Sequence, residues 1–442
     1  MTSSAITFLA QPAGALSGDI RVPGDKSMSH RSIMLGSLAE GTTRVSGFLE
    51  GEDALATLNA FRSMGVQIEG PVNGEVIIHG VGLHGLRAPQ GDIYLGNSGT
   101  SIRLIAGLMA GQSFDVTMTG DASLSKRPMN RVAIPLREMG AVVETQEGGR
   151  PPLTVRGGNK LSAIHYDMPM ASAQVKSCVL LAGLYAEGET EVVEPAPTRD
   201  HTERMLQGFG YPVKRQGATA SVVGGGRLTA CHIDVPSDIS SAAFFLVAAS
   251  IVPGSDLILS HVGINPTRVG ILEILKLMSA DIEVLNAREV GGEPVADLRV
   301  RYAPLKGIDV PEALVPLAID EFPVLFVAAC CASGETRVTG AEELRVKESD
   351  RIQSMVDGLK VLGVSIEGTP DGAVIQGGGS EFRFESGTVE AHEDHRIAMA
   401  FSVAGLLSDG GVIVNDCANV ATSFPNFVGL ARETGFPLTV CS

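Results

Sequence analysis

The 442-residue chain has few cysteines, no long apolar run and a deficit of positive charge, and each shortage removes a class of function. The six cysteines (Cys178, Cys231, Cys330, Cys331, Cys417 and Cys441) form no Cys-x-x-Cys pair. Most lie in apolar runs, where a free cysteine behaves as a small hydrophobe, so neither a disulfide framework nor a zinc site is expected. No stretch of 18 apolar residues occurs, and the nearest candidate, Ala242 to Val252, is too short to cross a bilayer. No basic residue precedes Arg21. Secretory and transit segments carry early positive charge, so the expectation is a cytoplasmic protein, or a mature chain already stripped of its address. With 34 basic against 50 acidic residues the net charge is −16, which disfavours nucleic acid and anionic membranes as partners. Any anion site must then be a local cluster of Lys and Arg.

Apolar material is ample: 44% of residues are hydrophobic and 19% charged, enough for two or three domains. One unit recurs six times: a polar start, an apolar helical run, a Gly-containing turn and a β-branched strand. The turn glycines are Gly41, Gly111, Gly188, Gly254, Gly334 and Gly410. A second helix follows in each unit and ends at Gly65, Gly140, Gly210, Ser279, Gly363 or Gly435, where a left-handed cap is expected. The first helices are apolar nearly all round, as in Ala242–Ala249, and are expected to be buried. The second are amphipathic, as in Leu272–Leu277, and suit a surface. A larger duplication pairs Ile20-Arg21-Val22-Pro23-Gly24-Asp25 with Ile233-Asp234-Val235-Pro236-Ser237-Asp238. It suggests one domain over 23–234 and a second formed by 1–22 plus 235–442, with a substrate cleft between them.

Helix N-termini present unsatisfied N–H groups and attract anions. The six apolar helices begin at Asp25-Lys26-Ser27, Asn97-Ser98-Gly99, Ser172-Ala173-Gln174, Ser237-Asp238, Asp320-Glu321 and Asp394-His395-Arg396. Ordinary capping explains the Ser, Asp and Asn residues, but not Lys26, Arg31 and Arg396 in the same places. Further polar clusters fall at Lys126–Arg131, Thr198–Glu203 and Arg345–Arg351.

Taken together these strings closely resemble the 5-enolpyruvylshikimate-3-phosphate synthases over nearly the whole chain. The match runs through Val22–Ser27 with Ser29-His30-Arg31, Gly96–Thr100 with Arg103, Gly120-Asp121 with Leu124 and Arg127-Pro128-Met129, Met170–Ser177, Arg199–Glu203, Ile319-Asp320-Glu321, Arg345–Arg351 and Asp394–Met399. The resemblance implies an α/β fold: a two-domain inverted α/β barrel-like architecture of six βαβαββ repeats, three per domain. It implies transfer of the enolpyruvyl group of phosphoenolpyruvate to the 5-hydroxyl of shikimate 3-phosphate, in aromatic amino-acid biosynthesis, with release of phosphate and no cofactor or metal. Shikimate 3-phosphate would be held by Lys26, Ser27, Arg31, Ser172, Ala173, Gln174, Arg199, Asp320 and Lys347. Phosphoenolpyruvate would be held by Lys26, Gly99, Arg127, Gln174, Arg351 and Arg396. Asp320, Glu348 and Lys26 would carry the proton transfers. The two substrates bring roughly −5 to −6 of charge, a load that the seven motif cations (Lys26, Arg31, Arg127, Arg199, Lys347, Arg351 and Arg396) suit.

The resemblance also implies inhibition by glyphosate beside Gly99, where some tolerant members carry Ala. One departure stands out: many members have a Lys shortly before the C-terminal Phe-Pro, and here Ala421-Thr422-Ser423 precede Phe424-Pro425. The nearest alternative is UDP-N-acetylglucosamine enolpyruvyl transferase, whose loop Cys has no counterpart around Leu124–Arg131. A non-catalytic anion-binding protein on the same fold is a second alternative. Gly24-Asp25-Lys26-Ser27 lacks the upstream glycine of a phosphate loop, Gly224–Gly226 reads as a turn, and His392 with His395 lacks a third ligand. A monomer is expected.

Overall fold

The computed structural model describes residues 6–441; the first five residues of the expected 1–22 segment and the last of 235–442 lie outside them. Twelve α-helices occur among the described residues, in six consecutive pairs. They are α1 (Lys26–Leu38) and α2 (Glu52–Ser63), α3 (Gly99–Met109) and α4 (Asn130–Glu138), α5 (Ala173–Gly183) and α6 (His201–Gly208), α7 (Ile239–Ile251) and α8 (Gly270–Leu277), α9 (Phe322–Cys330) and α10 (Arg351–Val361), and α11 (His395–Gly405) and α12 (Phe427–Glu433).

The first helix of each pair is the buried one. Every residue of α7 and α9 is buried, as their all-round apolar sequences require, because a helix without a polar face has no side to offer water. In α8 the core takes Ile271, Ile274 and Leu275, while Leu277 is half-exposed at the helix end. Each second helix ends where expected. Gly65, Gly140, Gly210, Gly363 and Gly435 have φ between 78° and 96°, and Ser279 takes the same left-handed conformation at 70°. The turns after the buried helices are less uniform. Gly41, Gly188, Gly254 and Gly334 have positive φ, but Gly111 does not, and in the sixth repeat the positive φ falls on Gly411 instead of Gly410.

The chain divides into two compact units. One is Gly24–Val235 with Val290–Gly292; the other contains the segment ending at Pro23, Pro236–Glu289 and the chain from Glu293 onward. Each has its own apolar core and three small sheets. The recurring order is a strand, its parallel neighbour across the buried helix, then an antiparallel hairpin. In the 24–235 unit, Ile93–Tyr94 runs parallel to Val116–Thr119, which pairs antiparallel with Arg150–Arg156, itself antiparallel to Val142–Gln146. The first repeat obtains its parallel strand from the far end of the unit: His232–Asp234 pairs with Arg44–Ser46. The other unit does the same with the N-terminal segment. Ser17–Ile20 lies parallel to Asp256–Leu259, and Thr7–Ala10 sits between Val412–Asn415 and Leu438–Cys441.

Some packing is tight enough to dictate residue type. A Cβ on Gly107 of α3 would lie 2.3 Å from the Cys178 carbonyl oxygen of α5, so only glycine lets these two helices approach so closely.

Candidate active site

Five of the six buried helices are capped by a side chain at the expected residue. Asp25, Ser98, Ser172, Asp238 and Asp394 accept from backbone N–H groups in the first turn. The ordinary capping explanation therefore holds for these residues. The cations beside them are held by other means.

In the 24–235 unit, Lys26 opens α1 and its Nζ lies 3.0 Å from Asp53 Oδ2. Arg31, one turn later, is buried. Its Nε donates to Thr202 Oγ1 (2.7 Å), Nη2 to Ser177 Oγ (2.8 Å) and Nη1 to the Ser27 carbonyl (3.0 Å). One guanidinium thus joins α1, α5 and α6. At the start of α3, Arg103 Nη1 donates to Gln174 Oε1 (2.6 Å) and Nη2 to the Pro128 carbonyl (3.1 Å), while Gln174 Nε2 donates to Thr100 Oγ1 (3.0 Å). Arg127 Nη2 donates to Asn97 Oδ1 (2.8 Å), and Asn97 in turn donates to Asp121 (3.1 Å). Gly99 lies under both guanidiniums, so that a Cβ there would come within 2.7 Å of Arg127 Nη1 and 2.9 Å of Arg103 Nη1. Gly99, Arg127 and Gln174 are therefore brought together. Ser172 and Ala173, half-buried, begin the adjoining helix, and Arg199 is half-buried between buried Thr198 and Asp200.

His30, behind Lys26 and Arg31, is fully buried with Nδ1 2.8 Å from Thr57 Oγ1. Burial, reinforced by the Lys26 and Arg31 charges, holds its pKa well below the usual imidazole value, so it is a neutral strut.

The other unit gathers carboxylates. Arg351, the first residue of α10, is 1% exposed. Its Nε donates to Asp394 Oδ2 (2.8 Å), Nη1 to Asp320 Oδ1 (3.2 Å) and Nη2 to Glu348 Oε2 (2.6 Å). Burial opposes the charge, but Asp394, Glu348 and Asp320 outweigh it and hold the pKa above the ordinary arginine value. Lys347 Nζ lies 3.5 Å from Asp320 Oδ1. Arg396 Nη1 donates to the Asp320 carbonyl (3.1 Å) and lies 3.8 Å from Glu321 Oε1. Glu321 also accepts from Ser240, which accepts from Arg268 Nη2 (2.6 Å). Chemically, this cluster places two partly exposed carboxylates, Asp320 and Glu348, on one buried cation.

The family model described as EPSP synthase (3-phosphoshikimate 1-carboxyvinyltransferase) matches residues 10–430. The chain belongs to the EPSP synthase family. It is 65% identical over 435 residues to the 3-phosphoshikimate 1-carboxyvinyltransferase of Methylococcus capsulatus, covering 98% of this chain and 99% of that one. It is 66% identical over 432 residues to that of Alkalilimnicola ehrlichii, covering 98% and 96%. A solved EPSP synthase structure from Acinetobacter baumannii shares 59% identity and a TM-score of 0.90, over 99% of this chain and all of that one.

Within this EPSP synthase fold, several partners were not singled out from sequence. Asp53 lies in the first turn of α2, and Asp121, quoted only within the Gly120-Asp121 motif, follows the Val116–Thr119 strand; only the fold brings them to Lys26 and Asn97. Asp394 and Glu321 were visible as helix-start residues, but nothing local marks them as partners of Arg351 and Arg396. Arg268 carried no signal at all. Lys176, within the Met170–Ser177 stretch, is 1% exposed and locked in ion pairs, because the α5 turn directs it inward. No cluster of three potential metal ligands occurs among the described residues, and no helix is long and apolar enough to cross a membrane.

Proposed function

We propose that this chain adds the 5-hydroxyl of shikimate 3-phosphate to phosphoenolpyruvate and releases phosphate, leaving the enolpyruvyl ether. The observation that carries the mechanism is the pairing of Asp320 and Glu348 on the single buried guanidinium of Arg351. Lys26, Ser27, Arg31, Ser172, Ala173, Gln174 and Arg199, with Asp320 and Lys347, hold shikimate 3-phosphate. Lys26, Gly99, Arg127, Gln174, Arg351 and Arg396 hold phosphoenolpyruvate. Arginine suits both anionic groups because its planar fork matches carboxylate and phosphate.

Asp320 takes the 5-hydroxyl proton as the oxygen bonds to C2 of phosphoenolpyruvate, while Glu348 delivers a proton to C3. The C2–C3 double bond becomes single, giving a tetrahedral intermediate. Glu348 then removes a C3 proton, the double bond re-forms, and the C2–O bond to phosphate breaks. The proton from the hydroxyl leaves with the phosphate, and Lys26 offsets the charge of the leaving group. The enzyme acts as a cytoplasmic monomer, needs no cofactor, and binds glyphosate in place of phosphoenolpyruvate. The test is phosphate release with purified protein. It requires both substrates together, and release with UDP-N-acetylglucosamine as acceptor, or none with shikimate 3-phosphate, would overturn the assignment.

A further inference from the structure

Beneath α5 lies a buried ionic cluster that the reaction does not use. Lys176 Nζ is 3.0 Å from Glu194 Oε2 and 2.8 Å from Glu203 Oε1, and donates to the Thr198 carbonyl at 3.5 Å. Glu194 Oε2 accepts from the Thr198 N–H (3.2 Å) and hydroxyl (2.6 Å). On the other side of Arg199, Asp200 Oδ2 accepts from Arg204 (2.9 Å) and Arg215 (2.9 Å), and Arg215 reaches Glu194 at 3.7 Å. Lys176, Glu194, Glu203, Thr198 and Asp200 are all under 9% exposed.

We propose that Lys176 is a positioning residue for shikimate 3-phosphate, acting through Arg199 and the start of α5. This rests on the assignment of Arg199 and Ser172–Gln174 to that substrate. The physical reason is that both neighbours of Arg199 are clamped to charges, Thr198 by Glu194 and Asp200 by Arg204 and Arg215, and Lys176 is held between Glu194 and the buried Glu203. Without it, Glu194 and Glu203 face each other with their shared cation gone, a buried arrangement that does not persist unrelaxed. The relaxation available is movement of the 198–203 turn. Lys176 also sits one turn into α5, and its N–H donates to the Ser172 carbonyl, so the same shift disturbs Ser172. A displacement of about 1 Å in a positioning group can cost about 100-fold.

The experiment compares Michaelis constants for the two substrates. Lys176→Met is expected to raise KM for shikimate 3-phosphate about tenfold or more, with KM for phosphoenolpyruvate and kcat changed less than threefold. Lys176→Met combined with Glu203→Gln removes the bare carboxylate and is expected to recover most of the loss. Arg199→Ala is the control, and in that background Lys176→Met should add little. If Arg199→Ala leaves KM for shikimate 3-phosphate unchanged, the role of Arg199 is wrong and the proposal falls with it. If Arg199→Ala raises KM but Lys176→Met does not, or damages both substrates equally, Arg199 stands and Lys176 is not its positioner. Should Lys176→Met not fold, Glu194→Gln, which keeps the Lys176–Glu203 pair but loosens Thr198, must give the same KM split or the proposal is refuted.

Discussion

Replacing Gly99 by alanine tests the geometry of the proposed phosphoenolpyruvate pocket most directly. The added Cβ would stand 2.7 Å from Arg127 Nη1 and 2.9 Å from Arg103 Nη1. Ordinary contact begins at 3.4 Å, so the guanidiniums must retreat by about 0.7 and 0.5 Å. Both are the ends of flexible side chains, yet neither is loose: Arg127 donates to Asn97, and Arg103 Nη1 donates to Gln174 at 2.6 Å. Overpacking of this kind costs ~1–3 kcal/mol, or roughly 5- to 150-fold in affinity. The family resemblance put Gly99 beside the ligand; the structure adds that a methyl there meets the arginine proposed to hold that ligand. Gly99→Ala is therefore expected to raise KM for phosphoenolpyruvate about fivefold, and to weaken glyphosate, the longer molecule, by about tenfold or more. The assay is steady-state phosphate release with and without glyphosate for both proteins. An unchanged KM beside a raised inhibition constant would refute displacement of Arg127. Equal factors for both ligands would refute the discrimination by length.

Three further outcomes are expected. Asp320→Asn keeps shape but removes the base, so kcat should fall ~10²–10⁴-fold while calorimetry shows shikimate 3-phosphate still bound; near-normal turnover would exclude Asp320. Arg351→Leu strands Asp394, Glu348 and Asp320 around an uncharged side chain. Loss of such a buried partner costs about 3–5 kcal/mol, which at ~2–4 °C per kcal/mol for a 150–250-residue domain lowers Tm by roughly 6–20 °C; a shift under about 2 °C would contradict the network. His30 titrates well below an ordinary imidazole in the folded state because it is buried beside Lys26 and Arg31. The unfolded chain therefore binds a proton below about pH 6.5 that the folded chain refuses, and stability falls there by up to about 1.4 kcal/mol per pH unit. His30→Asn should flatten that acid limb relative to the parent in thermal melts from pH 7 to 5, and parallel curves would show that His30 is not buried as described.

Much of the architecture was legible in the chain itself, because the features that specify it are local. Apolar residues on every face marked α7 and α9 as buried. Glycine marked five of the six left-handed caps, and Asp25, Ser98, Ser172, Asp238 and Asp394 announced helix starts. The spacing of these signals revealed six repeats. Even here tertiary packing overrode the pattern in places: Gly411 rather than Gly410 takes the positive φ of the sixth turn. Lys26, Arg31 and Arg396 were also legible, since Lys and Arg at apolar helix starts have no capping explanation. What could not be read was which charge faces which. Asp53 lies 27 residues from Lys26, Asp394 lies 43 from Arg351, and Thr202 lies 171 from Arg31. Such pairs form only when separate elements pack together. An ionic contact depends on distances of a few ångströms and on exclusion of water, neither of which any local pattern encodes. The chain alone therefore determined the repeats, the buried helices and the inventory of charged groups. The tertiary structure decided that Lys176 is locked away between carboxylates, and that Asp320 and Glu348 share Arg351.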